Sequence, residues 1–390
     1  MFSSRLPAEL ARNAVTAALE QQKRAGRAVL DLTQTNPTSV GLAYPVGQLD
    51  ALADPRATSY QPDPLGLAEA RAAIAASHAG HSSTGSADRL VLTASTSEAY
   101  AFLFKLLCDP GDRILVPRPS YPLFDLLAGL EGVEVASYPL RISDAWSIDR
   151  AGLLSQITAR SRAILIVSPN NPTGSRLRAA DREWLVGVAR AHGLAFISDE
   201  VFVDYPLRPR QDASSLFGED RVLTFTLGGL SKSAALPQVK LAWIAVSGPA
   251  EQCREALDRL ALIADTYLSV STPVQLAAAR LLARGGAMRS TVLARLRENL
   301  RSLRTIVGSH PALTLFEPEG GWSAVVRVPA VVPEEELVLR LLTEANVLVH
   351  PGFFFDFSEE AFVVLSLLPA PAQFTDGAQR VARFIERSLE

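Results

Sequence analysis

The sequence predicts an α/β protein in which a mostly parallel, seven-stranded sheet covered by helices forms a large domain, beside a smaller α+β domain. Between Arg89 and Val246, short apolar runs rich in β-branched and aromatic residues alternate with amphipathic segments. Strands that alternate with helices are typical of parallel sheets buried on both faces. The chain also has 390 residues, 48% of them hydrophobic, which is enough for a large core and a second domain.

The elements of the large domain follow from these runs. The seven predicted strands are RLVLT, RILVP, VEVASY, RAILIVS, LAFISDE, VLTFTL and KLAWIAV. Segments 97–107, 121–130 and 178–192 are predicted as helices between them. After Val246 the sequence predicts helix through Ala283 and a long helix over 287–307, with Gly285-Gly286 as a hinge.

The two ends of the chain predict the smaller domain. Residues 8–25 read as a polar helix, and a helix with Leu67, Ala70 and Ile74 on one stripe opens the large domain. After residue 307, three strands around 322–328, 346–350 and 361–368 are interleaved with two helices. The expected domains are an N-terminal segment 1–45 that joins the small domain, a large domain 46–285 and a small domain 286–390.

Composition narrows the class of partner. Lys plus Arg number 38 and Asp plus Glu number 41, so the net charge of -3 provides no electrostatic footprint for nucleic acid or an anionic membrane. We therefore expect a small-molecule partner. Cys108 and Cys253 are far apart, and no apolar run is long enough for a signal peptide or a membrane span, so a cytoplasmic location is expected. A helix end that runs into a Gly/Ser loop accounts for His78 and His81, and no metal site is predicted.

Lys232 is the first candidate for chemistry. It lies in a Gly/Ser-rich turn between two apolar runs, VLTFTL and LAWIAV. A lysine at the ends of two buried strands is poorly solvated, which lowers its pKa toward the nucleophilic free amine that a Schiff base requires. A solvated turn lysine is the alternative interpretation.

Ser95, Thr96 and Ser97 follow a predicted strand and begin a predicted helix. Free backbone N–H groups and hydroxyls at a helix N-terminus can hold a phosphate. A capping box between Ser95 and Glu98 would satisfy the same donors internally, so both interpretations remain open.

Two further polar groups follow predicted strands. Asn171 lies in the turn SPNNPTG after RAILIVS, either as a donor or in an ordinary Asn-Pro turn. Asp199 ends an apolar strand, where a buried carboxylate needs a cationic or donor partner, unless it caps a helix. A lysine, a carboxylate, an amide donor and a phosphate site are the groups that pyridoxal 5'-phosphate requires.

These blocks resemble the class I/II aminotransferases of the aspartate aminotransferase superfamily (pyridoxal phosphate fold type I). The resemblance extends over nearly the whole chain and rests on blocks found in the family's order: SYQPDPLGLAEARAAIA, ASTSEA with PRPSYPLF, SPNNPTG, ISDEVF, LSKSAALPQVKLAW and VHPGFFF. Several blocks in order at family-like spacing are far more specific than any one of them.

The resemblance implies roles around the cofactor ring. Lys232 would form the Schiff base (aldimine) and later move the substrate proton, and Asp199 would pair with the pyridinium nitrogen. Asn171 would donate to the ring oxygen, and Tyr121 would stack on the ring.

It also implies a phosphate site and a homodimer with shared active sites. Tyr60 would reach the phosphate of the neighbouring subunit. The implied phosphate-binding residues are Ser95, Thr96, Ser97 and Ser231, with Lys240 in place of an arginine that is common in the family.

Other departures concern the ring oxygen and the substrate. Phe202 stands where the family usually has a tyrosine, and Gly229 where a phosphate-binding serine is frequent. Val364 occupies the usual position of the arginine that binds the substrate carboxylate. Either another cation, with Arg118 and Arg176 as candidates, replaces that arginine, or the substrate is not a simple α-amino acid.

The resemblance therefore implies an aminotransferase that moves an amino group between an amino donor and an oxo acid, with atypical recognition of the substrate carboxylate. A lyase, decarboxylase or racemase of the same fold is the alternative, because fold and cofactor do not determine which substrate bond breaks. A non-catalytic cofactor-binding regulator is a further alternative, against which intact Lys232 and Asp199 argue.

Overall fold

The computed structural model describes residues 2–7, 13–78, 86–142, 145–209 and 211–389 of the chain. Its helices are α1 (Ala14–Arg24), α2 (Ala68–Ser77), α3 (Thr96–Leu107), α4 (Phe124–Leu130), α5 (Arg150–Gln156), α6 (Ala179–His192), α7 (Leu230–Ser233), α8 (Ala250–Tyr267), α9 (Thr272–Gly308), α10 (Glu334–Glu344) and α11 (Pro371–Arg387). Residues 8–12 of the predicted first helix, and His81, lie outside the described residues.

The strands form one large sheet and two smaller ones. They are β1 (Leu30–Asp31), β2 (Leu90–Thr93), β3 (Arg113–Arg118), β4 (Glu134–Ile142), β5 (Trp146–Ile148), β6 (Ser161–Val167), β7 (Ala195–Asp199), β8 (Thr224–Gly229), β9 (Ala242–Ser247), β10 (Thr314–Phe316), β11 (Ser323–Arg327), β12 (Val347–Leu348), β13 (His350–Pro351) and β14 (Phe362–Ser366).

The large sheet has eight strands in the order β2-β9-β8-β7-β6-β3-β4-β5. From β8 through β4 every neighbouring pair is parallel, whereas β9 and β5 run antiparallel to their neighbours. The α/β class and the mostly parallel sheet are confirmed. The strand count of seven is wrong, because the three-residue β5, which pairs with β4 at the edge of the sheet, is too short to show a periodic pattern.

Both faces of this sheet are buried by helices. In β7, Phe196 and Ile197 are fully buried but belong to different hydrophobic clusters, because successive strand side chains point to opposite faces. One cluster contains side chains of α3 and α8, and the other contains side chains of α6. Strands buried on both faces read as continuous apolar runs, which is why their sequences were recognisable.

The chain ends meet around a four-stranded antiparallel sheet, β10-β11-β14-β13. Its core includes side chains of α9, α10 and α11. Near the N-terminus, β1 pairs in parallel with β12, through Leu30 with Val347 and Asp31 with Leu348. This pairing brings the N-terminal segment against the C-terminal part of the chain.

Helix α9 continues through Gly285-Gly286, so the break between two helices predicted there is wrong. The break lies earlier, between α8 and α9, where Leu268 has a φ of 45°. A Cβ at Gly285 would lie 2.7 Å from Ala234 Cβ, just after the lysine turn. Gly285 therefore permits a close approach between α9 and the lysine-bearing segment.

Candidate active site

Lys232 lies in the short helix α7, directly after β8. Its Nζ is 4.6 Å from the ring centroid of Trp322 and 5.4 Å from that of Phe202. Burial lowers the pKa of Lys232 to about 8, although the charge of Asp199 opposes this shift. The amine therefore becomes half deprotonated near pH 8, well below the pH at which an ordinary lysine loses its proton, and the free amine is the nucleophilic form.

Two phenols hold the backbone that carries this lysine. The Tyr205 hydroxyl donates to the Lys232 carbonyl at 2.5 Å, and the Tyr44 hydroxyl donates to the Ala235 carbonyl at 2.6 Å. Ala235 has a φ of 54°, a conformation that a non-glycine residue rarely adopts. These bonds connect the lysine turn to the segment that follows β7 and to the N-terminal segment.

Asp199 ends β7, beside β8, and is buried. Its Oδ2 accepts from the Tyr100 hydroxyl at 2.7 Å, and its Oδ1 accepts from Val201 N at 3.2 Å. Burial raises the pKa of Asp199, whereas these two donors and the charge of Lys232 act in the opposite direction. Asp199 thus has donor partners, as its burial required.

The adjacent Glu200 belongs to a different network. Its carboxylate accepts hydrogen bonds from the hydroxyls of Ser198 and Ser215 and from Leu216 N. Burial raises the pKa of Glu200 and these donors lower it. Since its oxygens are engaged in joining β7 to the loop at 215–216, Glu200 has a structural role.

Asn171 lies beside the second sheet. The Ser323 hydroxyl, at the start of β11, donates to Asn171 Oδ1 at 3.4 Å. The preceding Asn170 stabilises the turn, because its side chain donates to Ser120 and accepts from Thr173. With its oxygen facing Ser323, Asn171 presents its amide nitrogen as a donor.

The N-terminus of α3 contains the Ser95 half of the predicted capping box, while Glu98 accepts from the residue before the N-cap. Glu98 N donates to Ser95 Oγ at 3.2 Å, while Ala94 N donates to the Glu98 carboxylate at 2.7 Å. Within the part of the chain that the structure describes, the backbone N–H groups of Thr96 and Ser97 donate to no protein acceptor. The cap and a phosphate site are therefore compatible at this position.

The other expected phosphate residues occupy different environments. Ser231 is partly buried beside the lysine, and Lys240 is exposed with a φ of 59°. A Cβ at Gly229 would lie 3.0 Å from Ala242 Cβ, so the neighbouring strand leaves little space for a serine there. Tyr60 is 73% exposed.

Tyr121 lies near the buried carboxylate. Its ring contacts Phe124 edge to face at 5.7 Å. Burial, and secondarily the charge of Asp199, raise the pKa of the Tyr121 phenol. Tyr121 and Asp199 are therefore in electrostatic reach of each other.

The expected substrate side of the site is apolar. Val364 is buried in a cluster with Val325, Phe355 and Phe362. An unpaired carboxylate in such surroundings would be strongly destabilised. The position that holds an arginine in the family pattern is thus buried among hydrocarbon groups.

The two candidate replacement arginines have other contacts. Arg118 forms ion pairs with Asp125 and Asp356 and donates to Ser137 Oγ, so its guanidinium is already engaged. Arg176 donates its backbone N–H to Glu319, and its side chain is partly buried. The contacts of Arg118 disfavour it as a carboxylate ligand.

Two residues of this site were missed by sequence reasoning. Tyr100 is on the apolar stripe of α3, where a buried phenol needs an acceptor, and that need was the available signal. Trp322 follows Gly320-Gly321 and contacts Phe202 edge to face at 5.5 Å. No sequence pattern connects Trp322 to Lys232, because only folding brings them together.

The groups present fit pyridoxal phosphate. Lys232 supplies an amine of lowered pKa, Asp199 a buried carboxylate, Asn171 an amide donor, and the start of α3 two backbone N–H groups that have no acceptor among the described residues. Within the described ranges, no three His, Cys, Asp or Glu side chains are grouped so as to hold a metal ion. None of the described helices has the length and apolar character needed to cross a membrane.

Comparison with known proteins agrees with this set of groups. Residues 28–370 match the family model described as aminotransferase class I and II. The chain belongs to this family, whose cofactor is pyridoxal 5'-phosphate, and is a pyridoxal phosphate-dependent aminotransferase. The lyase, decarboxylase, racemase and regulator alternatives are not favoured.

Individual relatives share modest identity over long alignments. An alanine aminotransferase of Mycobacterium tuberculosis is 28% identical over 370 residues, which cover 92% of this chain and 86% of that protein. The glutamate-pyruvate aminotransferase AlaA of Escherichia coli is 25% identical over 92% of this chain and 91% of its own length. An alanine aminotransferase structure from Pyrococcus furiosus superposes with a TM-score of 0.88 at 25% identity, covering 99% of this chain and 100% of that one.

Proposed function

We propose that this aminotransferase moves an amino group from an amino donor to an oxo acid in a ping-pong cycle, and that it recognises its donor without an arginine at position 364. The observation that carries the proposal is the partly buried Lys232 amine, with its pKa lowered to about 8, in electrostatic reach of the Asp199 carboxylate. A proton-transfer group is most effective when its pKa lies near the operating pH.

Each of the site's groups has a proposed task in this cycle. Bound pyridoxal phosphate supplies an electron sink when a proton leaves the substrate carbon. Lys232 would be the covalent attachment point of the cofactor, and its Nζ would move a proton from the amine-bearing carbon of the substrate. Asp199 keeps the ring nitrogen protonated, Asn171 donates to the ring oxygen, and Tyr121 stacks on the ring.

The phosphate is proposed to bind at the start of α3 and at the lysine turn. The residues assigned to it are Ser95, Thr96, Ser97, Ser231 and Lys240. The unpaired N–H groups of Thr96 and Ser97 support this assignment, because a helix N-terminus favours an anion. Lys240 contributes a point charge and not the paired donors of an arginine.

Recognition of the substrate is the atypical part of the proposal. Val364 is 1% exposed among apolar side chains, so it leaves no cation for an α-carboxylate at that position. Relatives named for alanine or for glutamate and pyruvate act on carboxylated substrates. We propose that this chain differs from them in accepting amines without a carboxylate.

Single-turnover absorbance of the cofactor-loaded enzyme tests both the amino-transfer cycle and the use of donors without a carboxylate. L-Alanine, L-glutamate, benzylamine and n-butylamine are mixed separately with excess enzyme, and the visible band and the carbonyl product are measured. We expect amines without a carboxylate to bleach the band and yield the matching aldehyde. Absence of product with every donor would contradict the aminotransferase cycle, and turnover of the two amino acids alone would contradict only the substrate proposal.

We further propose a homodimer with shared sites, in which Tyr60 reaches the phosphate bound by the partner subunit. The 73% exposure of Tyr60 within one chain supports this role. Mixing inactive Lys232→Ala and weakened Tyr60→Ala chains should restore activity, since one site of the mixed dimer has both native residues. Mixed samples without restored activity would contradict shared sites.

We also propose limits for two domains and a cytoplasmic location. Segment 1–45 and residues 286–390 are assigned to one small domain and 46–285 to the large one, supported by the pairing of β1 with β12. The boundary at 285 falls inside the continuous α9. A cytoplasmic location is supported by the two free thiols, Cys108 and Cys253, which are typical of a reducing compartment.

A further inference from the structure

The Tyr100 side chain is held rigidly next to Asp199. Tyr100 is 2% exposed, and its ring contacts Phe124 edge to face at 5.3 Å and Phe104 at 6.0 Å. The packed ring directs the hydroxyl to Asp199 Oδ2, which accepts the hydrogen bond at 2.7 Å. A buried phenol normally finds such a partner, and here the partner belongs to the proposed cofactor site.

Among the described residues, Asp199 has two hydrogen-bond donors, one for each carboxylate oxygen. Oδ2 accepts from Tyr100, and Oδ1 accepts from the backbone N–H of Val201. An ionised carboxylate offers about four lone-pair sites, so two sites stay available to a cationic N–H group. Both protein donors also favour the charged form of the carboxylate, which burial alone would disfavour.

We propose that Tyr100 is a positioning residue for Asp199, whose phenol keeps the carboxylate ionised and oriented toward the ring nitrogen of bound pyridoxal phosphate. This inference rests on the role of Asp199 proposed above. Burial and the adjacent Asp199 carboxylate hold the pKa of Tyr100 well above its ordinary value. The phenol is therefore a permanent donor at physiological pH.

Loss of the phenol hydroxyl has a defined consequence. A donor bond to the charged form lowers the pKa of a carboxyl, so its removal raises the pKa of Asp199. The carboxyl then takes up a proton at higher pH, and a neutral acid pairs less strongly with the ring nitrogen than an ion pair does. The protein should then show a smaller difference in affinity between pyridoxal 5'-phosphate and an analogue that lacks the ring nitrogen.

The test compares two cofactors on the full-length protein stripped of its cofactor. Dissociation constants for pyridoxal 5'-phosphate and 1-deazapyridoxal 5'-phosphate, which lacks the ring nitrogen, are measured by quenching of tryptophan fluorescence from pH 6 to 9. Tyr100→Phe should lower the preference for the natural cofactor about tenfold, the value of a hydrogen bond to a charged group. The loss of preference should be larger at pH 6 than at pH 9.

Tyr138→Phe is the matched control. Tyr138 is also buried, and its hydroxyl donates at 2.8 Å to the Leu165 carbonyl, not to a carboxylate. Its removal should lower thermal stability by a similar amount and leave the cofactor preference unchanged. An equal loss of preference in Tyr138→Phe would attribute the effect to packing and would overturn the inference.

Asp199→Asn distinguishes failure of the role proposed for Tyr100 from failure of the role proposed for Asp199. If Asp199→Asn leaves the preference unchanged, the proposed role of Asp199 fails. If Asp199→Asn lowers the preference while Tyr100→Phe keeps the wild-type value, only the role of Tyr100 fails.

3-Fluorotyrosine at position 100 gives a test that does not depend on the folding of Tyr100→Phe. It keeps the ring and the hydroxyl but makes the O–H a stronger donor, so the preference should rise. An unchanged or lowered preference with 3-fluorotyrosine would also overturn the inference.

Discussion

The residues proposed to bind the cofactor include buried charged groups, whereas the position expected to bind the substrate carboxylate lies among apolar groups. On the cofactor side, Lys232 and Asp199 are withdrawn from water but supported by specific partners, with Tyr100 donating to the carboxylate. On the substrate side, Val364 lies among hydrocarbon groups and Arg118 is engaged by two carboxylates. The difference supports the proposal that the cofactor is bound by buried charged groups, whereas the substrate is recognised without a charged group at position 364.

The largest expected effect comes from removing the lysine. Lys232→Ala eliminates the nucleophile and the proton-transfer group together, so turnover should fall by at least about 10³-fold. Borohydride treatment followed by mass spectrometry should find no cofactor on the chain. Lys23→Ala, at an exposed lysine of α1, should keep both properties. Covalent labelling of Lys232→Ala would show that another lysine holds the cofactor.

The second largest effect is expected when a charge is placed at position 364, where it should lower the stability of the fold. Val364→Arg puts a guanidinium among apolar groups without a partner, which should cost about 3 kcal/mol or more of unfolding free energy. Val364→Met, similar in length but uncharged, should cost about 1 kcal/mol. Thermal melts of both variants measure the difference. A Val364→Arg enzyme with native stability and a lower KM for carboxylated donors would place a carboxylate site there.

Introducing a phenol at position 202 should have a smaller effect, which is on the pH at which the bound cofactor titrates. In Phe202→Tyr, a donor to the ring oxygen would stabilise its ionised form, so the pH midpoint of the visible absorbance should fall by about one unit. Phe217→Tyr, on a ring that stacks on His78 at 5.1 Å, is the control. An unchanged midpoint in Phe202→Tyr would mean that the new phenol does not reach the ring oxygen.

The smallest expected effect concerns Arg118. Since two carboxylates already engage its guanidinium, Arg118→Ala should change the KM of each amino donor by less than about threefold, and loss of these partly exposed ion pairs should cost about 1 kcal/mol of stability. Arg304→Ala, which removes an ion pair with Glu317, is the matched variant. A KM raised only for carboxylated donors would restore Arg118 as the replacement arginine.

The sequence predicted the strands and the candidate site residues at their ends, because these features depend on residues that are neighbours in the chain. The central strands read as apolar runs because both sheet faces are covered, and polar residues at their ends marked Asp199 and Lys232 as candidates. The same reasoning failed at β5, which is too short for a pattern, and at Gly285. Gly285 reads as a helix breaker, yet its small size is required by contact with Ala234.

By itself, the sequence determined the α/β class, the positions of most strands and the choice of Lys232 and Asp199 as candidate site residues, because local patterns of burial and polarity encode them. Only the tertiary structure decided which groups meet. It placed the Tyr100 hydroxyl on Asp199, two aromatic rings around Lys232, and two carboxylates on Arg118. Such contacts join residues far apart in the chain, and their geometry depends on how the sheet, helices and loops pack together.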